Sequence, residues 1–265
     1  MPKEIVETLS NEDYHKDKAI GKSGLDRIHR SINHFLTPRT KMTPSLKIGS
    51  ALHTSVLEAE LFDILYMKEE KHDKRTKKGK EDDKDYQIRK KNKTTLTENE
   101  WNCIKEMHNA LRNDPLVTNL FVDGKPEVSL FWDEKDIRCK ARPDWVIDNG
   151  RILVDLKTTQ DASPEGFSKA IGNYRYHVQC AWYSRGATIC YGKAPEQFVF
   201  VAVENVAPYN IGVYTLGLAS RDEGWTQADA DLSKYKRWLE SPNDIHRGYE
   251  DKIIELEIPS WNFSY

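Results

Sequence analysis

Asp144, Asp155 and Lys157 are the residues whose types and spacing best suit chemistry. They lie in RPDWVIDNGRILVDLKTT, residues 142–159, where Asp148-Asn149-Gly150 interrupts β-rich sequence and so predicts a hairpin. Along a strand, residues i and i+2 share a face roughly 6.6 Å apart. Asp155 and Lys157 are therefore neighbours, and Leu156 faces the other way. Pairing around the turn carries Asp144 across the hairpin toward Asp155. Two carboxylates that close repel each other unless a proton or a cation lies between them. A divalent ion is the economical answer, since Mg²⁺ takes oxygen ligands and commonly uses one or two carboxylates plus water and substrate phosphate. Such an ion lowers the pKa of water and polarises a phosphodiester. A lysine beside it can orient or help deprotonate the attacking water and neutralise developing charge. The bland alternative is an Asp155–Lys157 salt bridge on an exposed strand, with Asp144 in a turn.

Two further segments carry polar groups at helical spacing. KIGSALHTSVLE sets Gly49 and His53 at i, i+4, and a helical glycine costs up to ~1 kcal/mol relative to alanine, which points to a close approach. YRYHVQCAWYSRG sets Gln179 and Tyr183 at i, i+4, both able to hydrogen-bond a phosphate or a base. Taken singly, each reads more readily as an ordinary helix.

In this order, the GSALH helix, the ARPDW and DLKTT strands, the YRYHVQ lead-in and the QCAWY helix resemble the PD-(D/E)xK nuclease superfamily. The resemblance spans roughly residues 10–209. It is to the branch of phage and bacterial recombination exonucleases, and closest to the exonuclease VIII nuclease domain. It implies metal ligation by His53, Asp144, Asp155 and the backbone carbonyl of Leu156, with Lys157 as the catalytic lysine. Gln179 and Tyr183 would contact DNA or brace the site, and Glu127 stands where related nucleases often have an acidic helper.

The implied activity is digestion of linear duplex DNA, 5′ to 3′, with Mg²⁺ (Mn²⁺ substituting) and without ATP. No GxxxxGK[ST] phosphate loop occurs in the sequence. Relatives form homo-oligomeric rings and work with a strand-annealing recombinase. Some carry a four-cysteine iron–sulfur cluster, which the scattered Cys103, Cys139, Cys180 and Cys190 do not favour. Alternatives are an endonuclease or helicase-coupled nuclease of the same superfamily, or a non-catalytic DNA-binding protein on the same fold. For a 5′-terminal phosphate, Arg27 and Arg30 are neighbours on one helix and offer planar guanidinium donors.

The elements that must position these groups follow from periodicity. Leu25, Ile28, Ile32 and Phe35 predict a helix capped by Ser23 and stopped by Pro38. A second helix is expected over residues 46–65, and a third after the Thr97/Glu100 capping box. Beyond Pro126 the period becomes two: Val128, Leu130, Trp132, then Ile137, Cys139, Ala141. After the hairpin come a helix opened by Ser163-Pro164, another over 174–189, the strands FVFVAVE and IGVYTLG, and a last helix over 225–239. This pattern predicts an α/β restriction-endonuclease-like core, a central mixed sheet flanked by helices, with a helical N-terminal portion. One domain is expected over residues 1–265.

Ten per cent aromatic residues and seven Trp argue against global disorder. The longest apolar run, residues 198–203, is too short to span a bilayer. No basic-then-apolar leader opens the sequence, so a cytoplasmic protein is expected. The formal net charge of −2 hides a segment, residues 68–93, with twelve basic and seven acidic side chains. It lacks apolar periodicity, so residues 66–95 read as a charged loop or arm, suited to a polyanionic partner.

Overall fold

A computed structural model describes residues 3–38, 42–243, 248–249 and 253–258 of the chain. From the N-terminus run β1 (Glu4–Val6), α1 (Asn11–Lys16), α2 (Lys22–Arg30), α3 (Ile32–Leu36), α4 (Pro44–Leu57) and α5 (Ala59–Leu65). Next come β2 (Tyr66–Lys68), α6 (Lys77–Arg89), β3 (Thr94–Leu96), α7 (Glu98–Asn113) and α8 (Pro115–Leu120). The strand-rich part holds β4 (Gly124–Pro126), β5 (Ser129–Glu134), β6 (Ile137–Ala141), β7 (Trp145–Ile147) and β8 (Ile152–Thr159). Then follow α9 (Pro164–Asn173), α10 (Tyr176–Tyr191), β9 (Gln197–Glu204), β10 (Ile211–Tyr214) and α11 (Leu218–Glu240).

The expected hairpin, β7 and β8, lies at the centre of a five-stranded mixed sheet ordered β10-β9-β8-β7-β4. Strands β8 and β9 pair in parallel and the other neighbours antiparallel. Asp148, Asn149 and Gly150 all take positive φ, which the tight turn requires and which these residue types tolerate. A Cβ on Gly150 would also collide with the Tyr191 ring, 2.4 Å away.

Both faces of the sheet are covered. Leu153, Phe198, Phe200 and Ala202 pack with Leu25 and Ile28 of α2, Val178 and Trp182 of α10 and Leu232 of α11. On the opposite face, Val154, Leu156, Val199, Val201 and Val203 pack with Ala51 and Leu52 of α4 and Ile104 and Met107 of α7. Burying such side chains is worth roughly 1.5–3 kcal/mol each, enough to hold a polar site at the strand ends. A second sheet, β1-β5-β6, extends the first core cluster. The architecture is the expected α/β restriction-endonuclease-like one. Among the described residues no helix is long and apolar enough to cross a membrane.

Several elements differ from their sequence reading. The first expected helix is two, because Ser31 takes extended backbone at ψ 163 and caps α3 through its side chain. Gly21, not Ser23, precedes α2. The helix expected over 46–65 breaks at Glu58 into α4 and α5. Helix α11 starts at Leu218, earlier than the apolar stripe indicated. The Thr97/Glu100 capping box forms as expected.

The largest difference is the charged segment, which is neither loop nor arm over residues 77–89 but the helix α6. Thr76 caps it and Tyr86 is its buried anchor, with Arg89 and Lys90 set over the Tyr86 ring. Gly79 is required there, since a Cβ would come within 2.0 Å of the Asp73 carbonyl oxygen. One buried aromatic gives no repeating apolar period, so the helix is invisible to a periodicity argument.

Candidate active site

Trp145 of β7 pairs with Val154 of β8, so Asp144 and Asp155 are opposed one step beyond the end of the ladder. Asp144 Oδ2 accepts the Leu156 backbone N–H at 2.6 Å and lies 3.4 Å from His53 Nδ1. Helix α4 delivers His53, its start fixed by the Thr43 side-chain cap and Pro44 in the first turn. Glu127 stands between β4 and β5 with φ 50, its N–H donating to the Asp144 carbonyl at 3.0 Å. Ligand atoms of His53, Glu127 and Asp144 all lie within 4.8 Å of one another. Glu127, expected only as a helper, is thus a full member of this cluster.

Asp155 stands beside the three rather than among them. It is fully buried, with Oδ2 accepting from Gln179 Nε2. Its Oδ1 pairs with the Lys157 ammonium. Carboxylates plus one imidazole are a donor set for a hard or borderline divalent ion. The fully buried Asp155 carboxylate adds a further oxygen donor beside them. The residues present therefore fit a metal.

Burial works against charge throughout the cluster. It raises the Glu127 pKa to about 8, with repulsion from Asp144 adding to the effect. It raises Asp155 to about 6, again helped by Asp144 and opposed by Lys157. For His53 burial acts to lower the pKa, but the Asp144 carboxylate outweighs it and carries the imidazole up to about 9. Asp144 ends below its ordinary value: His53, Lys157 and the Leu156 N–H override its burial.

Stability should follow these shifts. Each of the two raised acids holds its proton more tightly folded than unfolded, so ionising it costs stability as pH climbs from the ordinary carboxylate range toward the folded value. The His53 contribution is complete below its unfolded pKa of about 6.5 and is lost as pH rises through about 9. These three slopes share one sign. The metal-free protein is expected to lose melting temperature between about pH 6 and 9. Mn²⁺, which binds deprotonated ligands, is expected to restore it most at the alkaline end. Thermal melts in EDTA and in Mn²⁺ across this range check the point; a metal-free melting temperature that rises with pH contradicts it.

The other expected residues fall out as follows. Gln179 is buried and braces Asp155, which leaves its amide turned inward. Tyr183 is half-buried, and burial, Tyr14 and the acids Asp155, Asp144 and Glu127 hold its hydroxyl pKa well above the ordinary range. Leu156 packs its side chain in the core. Gly49 does not mark a tight approach: a Cβ there would meet Thr158 Oγ1 at 3.5 Å, an ordinary contact.

Arg27 is engaged elsewhere, donating to the backbone carbonyls of His34 and Thr37 and so tying α2 to the end of α3. Arg30 is exposed in the last turn of α2. The residue that sequence reasoning missed is Arg142, two before Asp144 in ARPDW. It is buried, donates to Ser129 Oγ at 2.9 Å and to the Leu9 carbonyl at 3.0 Å, and lies 3.8 Å from Glu127. Its guanidinium sits 4.0 Å from the Tyr14 ring centroid. The arginine of the motif was the available signal.

Residues 26–246 match the model of a family described as a PDDEXK-like domain of unknown function. Among solved structures, a candidate exonuclease from Eubacterium rectale aligns over 95% of this chain and 96% of its own, with 12% identity and a TM-score of 0.65. At that identity the likeness is one of fold. A second structure, of SSO0001, aligns over 80% of this chain and 83% of its own at 13% identity, with a TM-score of 0.30. No curated protein matches the sequence. With the family model covering most of its length, and with the two acids and the lysine of the motif set on one central hairpin, the chain belongs to the PDDEXK-like domain family, within the PD-(D/E)xK nuclease superfamily.

Proposed function

We propose that the chain is a metal-dependent exodeoxyribonuclease, one domain over residues 1–265, that digests linear duplex DNA 5′ to 3′ and leaves 3′ single strands for recombination. The observation that carries this reading is the cluster of His53, Glu127 and Asp144 beside the Asp155–Lys157 pair. These three acids and the His53 imidazole, with the Leu156 carbonyl, would hold Mg²⁺ or Mn²⁺. A bound ion would supply a polarised scissile phosphate and water of lowered pKa.

The protein's own groups do the rest. Burial disfavours charge on Lys157, but Asp155 and Asp144 outweigh it and hold its pKa above the ordinary value. Lys157 therefore keeps its proton and offers a fixed positive charge to the phosphate oxygen on which negative charge develops. Gln179 fixes the Asp155 carboxylate, and the Leu156 N–H fixes Asp144, so neither acid must reorganise when DNA arrives. Partners consistent with this reading are DNA ends, a homo-oligomeric ring and a strand-annealing recombinase.

The test is digestion of linear against covalently closed duplex with Mg²⁺, Ca²⁺ and EDTA, using labels at each end. Loss of the linear form alone, from its 5′ ends and with Mg²⁺ only, is the expected result. Cutting of the closed form makes the protein an endonuclease, and no cutting makes it a DNA-binding member of the fold.

A DNA path over α6 can be tested separately. Lys74 pairs with Asp83 and Arg75 with Asp73, whereas Lys77 and Lys78 are exposed in the first turn. Replacing Lys77 and Lys78 by Ala is expected to weaken duplex binding. Each lost phosphate contact should flatten the dependence of log K on log salt by about 0.9. An unchanged slope places α6 outside the DNA path.

A further inference from the structure

Tyr174 and Tyr176 form an aromatic stack that runs from the core, past Lys157, to the surface. The Tyr176 ring stacks on Phe200 at 5.8 Å between centroids and lies 5.0 Å from Lys157 Nζ. Tyr174 continues the stack, its ring 5.6 Å from that of Tyr176 with planes 29° apart. Yet Tyr174 is 62% exposed, so one more aromatic surface is open on the outer side of Tyr176.

The backbone that creates this stack is strained and over-determined. Arg175, between the two tyrosines, has φ 54 and ψ 44, a left-handed conformation unfavourable for a non-glycine residue. Its guanidinium is held on three sides, by Asp26 at 3.0 Å, Asp231 at 2.5 Å and Gln227 at 3.2 Å. Lys22 donates to the Tyr174 carbonyl at 2.7 Å and pairs with Asp26. Helix α11 is brought close enough by Gly224, where a Cβ would come within 2.2 Å of the His177 carbonyl oxygen. Helices α2 and α11 thus fix a strained tripeptide whose outermost ring buries little. Backbone strain of this kind persists where the surroundings enforce it, and it clusters at functional sites.

We propose that Tyr174 is a stacking platform for an unpaired nucleobase of the DNA strand whose phosphate reaches Lys157. The proposal rests on the nuclease reading above and adds to it where the substrate strand is gripped. Every base has a π-face, so the platform tolerates any sequence, as digestion along DNA needs. The ammonium groups of Lys157 and Lys22, 5.0 and 5.8 Å from the Tyr176 ring centroid, place positive charge where the adjoining backbone would run. A base held here is out of the duplex stack, so the nucleotide at the lysine is already separated from its complement.

The experiment uses single-stranded oligonucleotides carrying 2-aminopurine, which loses fluorescence when stacked, at successive positions from the 5′ end. Ca²⁺ replaces Mg²⁺ during binding, and cleavage of linear duplex with Mg²⁺ is measured in parallel. The parent is expected to quench the probe at one position. Tyr174→Phe should behave likewise, and Tyr174→Ala should lose the quenching and bind about tenfold more weakly. Tyr174→Leu keeps apolar bulk without a π-face and should match Tyr174→Ala, which separates stacking from packing. Quenching retained in both non-aromatic variants overturns the platform, as does a parent that cleaves duplex but quenches at no position. A parent that neither binds nor cleaves DNA overturns the nuclease reading itself.

Discussion

Asp155→Asn is expected to lower cleavage of linear duplex about a thousandfold or more, with DNA binding nearly unchanged and the fold retained at lower stability. The substitution keeps the shape of a fully buried side chain and removes one negative charge from the hairpin. Gln179 can still bond the remaining oxygen, so packing is preserved. What is lost is the carboxylate between the His53, Glu127 and Asp144 cluster and Lys157. A thousandfold corresponds to about 4 kcal/mol of transition-state stabilisation. The measurement is kcat/KM on end-labelled duplex with Mg²⁺, beside a binding titration with Ca²⁺. Near-normal turnover by a folded variant removes Asp155 from the site.

Lys157→Ala should separate catalysis from metal binding. Loss of a fixed positive charge at the phosphate is expected to lower kcat by about two to four orders of magnitude. The ligand cluster stays, and the Asp155 carboxylate without its ammonium calls more strongly for a cation. Mn²⁺ affinity measured by calorimetry is therefore expected to hold or rise. In EDTA the same variant leaves a buried carboxylate uncompensated, which costs about 3–5 kcal/mol when a buried pair is broken. Its melting temperature should fall in EDTA and recover with Mn²⁺. Loss of Mn²⁺ binding as severe as in Asp155→Asn contradicts the role given to Lys157.

The hairpin was legible because two signals agree there: turn residues at Asp148-Asn149-Gly150, and period-two placement of Asp155 and Lys157. The sheet and its two apolar faces were legible from FVFVAVE and the alternation beyond Pro126. Helix α6 was not, since its stability comes from a cap and one buried tyrosine rather than an apolar stripe. The breaks at Ser31 and Glu58 were not either, because both residues are tolerated within helices and tertiary packing decided the bend. Membership of Glu127 in the cluster depends on its left-handed backbone and its N–H bond to the Asp144 carbonyl, which spacing does not encode. The engagement of Arg27 by the His34 and Thr37 carbonyls likewise depends on the break at Ser31 that brings α3 back against α2.

The most direct test of the site is where a metal binds. Crystals grown with Mn²⁺ give an anomalous signal that locates the ion without reference to activity. The expected peak is bounded by the His53 imidazole and the carboxylates of Glu127, Asp144 and Asp155, and is lost in Asp155→Asn together with cleavage. A peak elsewhere, or cleavage that persists in a variant lacking the peak, would contradict this site.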